Sequence, residues 1–92
     1  MKIFILLGSL NAFLAVALGA FGAHGLKSRV TADLLAVWQT GVLYHMFHAL
    51  GLLTVGLCIH LFPQPALLRT AGWLMFSGIV LFSGSLYLLV LS

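Results

Sequence analysis

Charge is nearly absent from this chain. Its 92 residues include four Lys or Arg and one acidic residue, 5% charged against 63% hydrophobic. A soluble domain carries about 25% charged residues, so no water-facing surface can be built here and the polypeptide must be solvated by lipid. The length leaves no room for a separate soluble domain. The single cysteine, Cys58, sits in an apolar run, which excludes an intrachain disulfide and a cysteine-based metal framework. The lone acidic residue, Asp33, lies outside the apolar runs, so the spans lack the carboxylates that usually serve proton relays and general acid-base catalysis. Lys2, Lys27, Arg29 and Arg69 give a net charge of +3. Scattered in this way they suit lipid headgroups and lack the clustering of a nucleic-acid footprint.

What remains is hydrocarbon in long runs. A membrane-crossing helix needs about 20 consecutive, mostly apolar residues, and three stretches qualify: 3–23, 42–62 and 66–91. The first is longer than the apolar core of a signal peptide, about 7–15 residues, and is read as a retained helix. The second closes at Pro63 and Pro65, which cannot continue a helix. Arg69 near the start of the third can snorkel to the interface. Ahead of the second span, Thr31 is a fair N-cap and Asp33 meets the positive end of the helix dipole. A helix should therefore start near Ala32, with 32–41 at the interface. Run unbroken to Phe62 it would be about 45 Å long, so it should tilt, bend near Gly41 or leave its first turns outside the hydrocarbon. Lys2 and Arg69 fall on one side of the membrane and Lys27 and Arg29 on the other, so the basic side chains are tied; the amino-terminal charge favours an inside N-terminus. The end at "LLVLS" has no polar flank, which suggests a longer parent chain. The expected fold is an all-α integral membrane bundle forming one domain over 1–92.

Helices associate in lipid through small residues and interhelical hydrogen bonds. Gly8, Asn11, Ala15, Gly19 and Gly22 share one arc of the first span. Thr70, Ser77 and Gly84 align at heptad spacing in the third, with Trp73 to one side. In the second, Trp38, Thr40, Gly41, Tyr44 and His45 all lie within about 80° of His48 at the helical period. Those three faces are expected to meet as the packing surface and polar core. Gln39 points to the apolar side and belongs at the interface.

His24, His45 and His48 are the candidate cofactor ligands, haem included, since imidazole is the commonest metal ligand. A closed zinc site needs four ligands, and only His24, His60 and Cys58 accompany the central pair, with His24 and His60 near opposite span ends. No metal or cofactor is therefore expected, and the histidines are read as hydrogen-bonding residues. "SGS" at 83–85 lies in an apolar helix without the strand-to-helix context of a nucleophile elbow, and no enzyme activity is expected.

The segments "GAFGAHGLK" (19–27), "WQTG..YH..HAL" (38–50) and "AGW...SGIVLFSGSLYLL" (71–89) resemble the family known as domain of unknown function 423, which includes transmembrane protein 256. The resemblance spans nearly the whole chain. It implies a small protein of the bacterial inner membrane or an organelle membrane and a four-helix fold whose fourth helix is absent here. His24, Trp38, Thr40, Tyr44 and His48 fall on the family's motif, whereas glutamine usually stands where His45 does. No activity carries over. The leading expectation is a packing or accessory subunit of a larger membrane complex or a homo-oligomer, with lipid, other membrane proteins or itself as partners and no nucleic acid. The alternatives are a minimal transporter or channel for a proton or small solute, and a haem-binding membrane protein.

Overall fold

The computed structural model describes residues 2–62 and 65–92, and every element among them is helical. Helix α1 (Lys2–Phe21) passes directly into a π turn at Gly22–Leu26. Helix α2 (Ala32–Leu61) is continuous through Gly41 and 30 residues long. The third span is built from α3 (Pro65–Gly78), a π turn (Ile79–Ser83) and α4 (Gly84–Leu91). Among the described residues three segments are long and apolar enough to cross a membrane: Ile3–Leu26, Ala32–Leu61 and Ala66–Leu91. The helices run longer than the expected spans, the first on through the π turn and the second from Ala32, where a helix start is expected, to Leu61. Pro63 and Gln64 lie outside the described residues.

Local chemistry explains the ends. The Thr31 hydroxyl accepts the Leu34 N–H at 3.3 Å, which engages one of the orphan donors at the start of α2, and the Thr31 carbonyl takes the first regular helical bond from the Leu35 N–H at 2.9 Å. Asp33 sits in the first turn, where its charge complements the dipole.

Helix α2 lies between the other two spans and packs against both. Backbone reaches backbone where α1 crosses it: a Cβ on Gly8 would stand 2.9 Å from the Leu53 nitrogen and 3.0 Å from the Ala49 oxygen, and one on Gly56 would stand 3.0 Å from the Ile5 nitrogen. Only glycine permits that approach, the usual device for helix adhesion in lipid. Two apolar clusters fill opposite ends of the bundle. Phe4, Leu52, Val55 and Ile79 form one, and Leu26, Trp38 and Val90 the other. The Phe4 ring closes the first against Trp73, edge to face at 5.1 Å. The polar core occupies the level between them.

The expected faces need correction in the third span. Thr70 and Ser77 are exposed, and Gly84 is only half-buried, with nothing but the Ile79 oxygen, at 3.9 Å, near its missing Cβ. The buried positions are instead Gly72, Ile79, Ser83 and Val90. On α2, Thr40 and Tyr44 are likewise exposed and His48 is half-buried, so this part of the expected inner face borders lipid. Gln39 is exposed.

Candidate functional site

Asn11, His45 and Tyr87 come together from three different spans. Asn11 is 6% exposed and His45 4%, the most enclosed polar groups of the bundle along with Ser83. The Asn11 amide nitrogen donates to the Leu7 carbonyl of its own helix at 2.8 Å. A carbonyl oxygen can only accept, so this bond fixes the amide and turns its oxygen toward α2. There it lies 2.9 Å from His45 Nε2. Because that oxygen also only accepts, Nε2 carries the imidazole hydrogen and Nδ1 is bare. The Tyr87 hydroxyl then donates to Nδ1 at 3.0 Å. The whole chain of bonds is therefore directional: tyrosine O–H to imidazole, imidazole to amide, amide to backbone.

Several features place Tyr87 there. Its ring packs at a 45° tilt on Trp38, 4.7 Å between centroids, and lies 5.9 Å from the His45 ring. Gly41 opens the floor beneath it, since a Cβ at that position would come within 3.0 Å of the Tyr87 ring. The π turn holds the helix at this level: Gly84 N–H reaches back to the Ile79 carbonyl, and Ser83 donates to the Gly41 carbonyl at 2.8 Å. Single π turns of this kind often accompany functional positions. Trp38 is secured in turn by its indole N–H on the Leu18 carbonyl at 2.9 Å, and its ring fills the space above Gly22. Among the described residues no buried side-chain nitrogen or oxygen lacks a partner, and the spans enclose no cavity.

Of the residues proposed from sequence for the packing face and polar core, Gly8, Asn11, Ala15, Gly22, Trp38 and His45 are buried, and Gly19 is half-buried beside Val42. Thr40 spends its hydroxyl on the Ala36 carbonyl of its own helix and Thr70 on that of Ala66, so neither joins spans together. His48 donates from Nδ1 to the Tyr44 carbonyl at 2.8 Å, one turn back. His24 is exposed in the first π turn, and His60 is exposed near the far end of α2. The three candidate cofactor histidines thus occupy three separate environments. Among the described residues no three His, Cys, Asp or Glu side chains gather as a metal site.

Tyr87 and Ser83 are the core polar residues that the sequence reading missed. The available signal was their four-residue spacing within an apolar helix, which stacks two hydroxyls on one face.

A family model described as "Protein of unknown function (DUF423)" matches residues 18–92. The chain is 60% identical over 89 residues to the UPF0382 membrane protein YwdK of Bacillus subtilis (strain 168), covering 97% of this chain and 72% of that one. It is 50% identical over 92 residues to the UPF0382 membrane protein SSP2132 of Staphylococcus saprophyticus, covering all of this chain and 75% of the relative. A third relative, UPF0382 membrane protein SAB0533 of Staphylococcus aureus, is 49% identical over 92 residues, again the whole of this chain and 74% of its own length. No solved structure matches.

Proposed function

The chain belongs to the DUF423 family of membrane proteins of unknown function, and on that premise we propose that it is a non-enzymatic packing or accessory subunit. It docks onto a larger assembly, or onto copies of itself, in the bacterial cytoplasmic membrane. One observation carries this reading: the Asn11, His45 and Tyr87 side chains satisfy one another across the three described spans. A polar core spent on adhesion yields a stiff unit whose working surface is its outside. In lipid, exposed small and polar residues such as Thr70 and Ser77 are the kind that bind neighbouring helices.

The competing reading, a minimal transporter or channel, calls for a polar path that can move a proton or solute onward. The hydrogen-bonded chain ends instead on the Leu7 backbone oxygen, which has no proton to pass on. For haem, His45 would have to give up a bond at one of its two engaged nitrogens.

Extraction in mild detergent or lipid nanodiscs, followed by mass determination, tests the proposal. The protein should run in fixed stoichiometry with another membrane protein or with itself. A monomer that stays alone at native expression level overturns it.

A further inference from the structure

The π turn at Ile79–Ser83 decides which side chain of α4 faces His45. A π turn takes up one residue more than an α turn. Every side chain beyond it therefore stands where the preceding residue of an uninterrupted helix would stand, an offset of about 100°. Measured from buried Ile79, this brings Tyr87 to within about 20° of the inward direction. In an unbroken α-helix Tyr87 would lie about 80° away, and Leu86 would take the inward place at about 20°.

Both side chains already border the same spot on α2. A Cβ on Gly41 would stand 3.0 Å from the Tyr87 ring and 3.4 Å from the Leu86 Cβ, so one can replace the other by turning over a glycine floor. The start of α4 has room for that turn, since only the Ile79 oxygen, at 3.9 Å, lies near the missing Cβ of Gly84. Helix α3 is held more firmly: the Phe4 ring fills the space over its Gly72, and its Met75 thioether fills the space over Gly51 of α2. Two hydroxyls fix α4 as observed, Tyr87 on His45 Nδ1 at 3.0 Å and Ser83 on the Gly41 carbonyl at 2.8 Å. At the average strength of hydrogen bonds between membrane helices, each favours this register only about threefold. Regular α-helical bonding and an apolar side chain over Gly41 offset them in the other.

We infer that the third span is a two-register element. Helix α3 stays docked while the π turn winds into α-helix and α4 rotates by about 100°. Leu86 then replaces Tyr87 over Gly41, and His45 Nδ1 loses its donor. The outer side of α4 turns with the rest, so the buried bond and the surface offered to the surroundings change together.

Carbon-13 NMR at Tyr87 Cζ tests the switch in the full chain in lipid nanodiscs, with Tyr44→Phe leaving Tyr87 as the one tyrosine. Two Tyr87 signals, or one broadened by microsecond-to-millisecond exchange, are expected. Deleting Val80, which is 56% exposed, removes the residue that the π turn absorbs and keeps Tyr87 on His45, so a single sharp signal should remain. Leu86→Ala takes away the side chain that replaces Tyr87, and should lower the second population about tenfold; it decides the matter if the deletion fails to insert. Backbone amides of 84–91 should report the same exchange and those of 66–77 should not. A single sharp Tyr87 signal in the parent overturns the inference. Exchange undiminished by Leu86→Ala also overturns it, because the tyrosine would then be flipping on a fixed helix. Equal broadening throughout 66–91 would mean motion of the whole span and refute the register change.

Discussion

Replacing His45 gives the sharpest test of the polar core. The imidazole donates to Asn11 and accepts from Tyr87, at 2.9 and 3.0 Å. His45→Leu breaks both bonds and strands an amide oxygen and a hydroxyl in an apolar interior. A buried polar group left unpaired costs about 1–3 kcal/mol in proteins generally, whereas hydrogen bonds between membrane helices average only about 0.6 kcal/mol, with a maximum near 1.7. The two figures together place the loss at about 2–4 kcal/mol. His45→Gln retains one donor and one acceptor on a planar group, so its loss should be about 1 kcal/mol or less. Tyr87→Phe keeps the ring on Trp38 and deletes a single bond, for about 1 kcal/mol. Stability is measured by titrating a denaturing detergent into mixed micelles and following Trp38 fluorescence in a Trp73→Phe background. The His45→Leu and Tyr87→Phe double variant closes a cycle whose coupling should be about 0.6–1.7 kcal/mol. Coupling below about 0.3 kcal/mol, or a His45→Leu protein as stable as its parent, would refute the claim that these side chains fasten the spans.

The remaining predictions concern the same bundle. Gly8→Val should separate α1 from α2 and cost about 1–3 kcal/mol or more through overpacking, whereas Gly84→Ala, whose Cβ would meet only the Ile79 oxygen at an ordinary 3.9 Å, should be neutral in the same titration. Nitrogen-15 NMR of labelled histidine should find the neutral His45 ring protonated at Nε2 and the neutral His48 ring at Nδ1; the reverse assignment contradicts the bond directions given above. Lipids brominated on their acyl chains should quench Trp73, which is 43% exposed, and spare Trp38, which is 1% exposed; equal quenching would mean that α2 turns a different face to the bundle.

Sequence reasoning reached the spans because their length and lack of charge are decisive, but it reached the packing faces unevenly. On α1 the residues that differ from lipid in size or polarity, Gly8, Asn11 and Ala15, are also the buried ones. In the third span Gly72, Ile79, Ser83 and Val90 point inward, while Thr70 and Ser77, which look more suitable for a helix contact, face out. Lipid and protein interior are alike in polarity, so the apolar periodicity that orients helices in soluble proteins carries little information here. Tyr87 was missed for a related reason. A tyrosine close to the end of an apolar segment reads as a membrane-interface residue, and only its place opposite His45 reveals the bond. Tyr44 and His48 do share an edge with His45, but α3 and α4 approach α2 beside Gly41 and Gly78, leaving those two residues on the margin of the seam.

The close crossing at Gly8 and Gly56 bears on the order in which the protein is assembled. Chains emerge amino-terminus first, so the first two helices can clasp before the third has been made. Once they do, Asn11 already aims the imidazole of His45, and Phe4 already stands against Leu52. The late-arriving segment therefore meets a finished template: a ring seated for Gly72 to slide over at one end, and at the other a waiting nitrogen for Tyr87 to find.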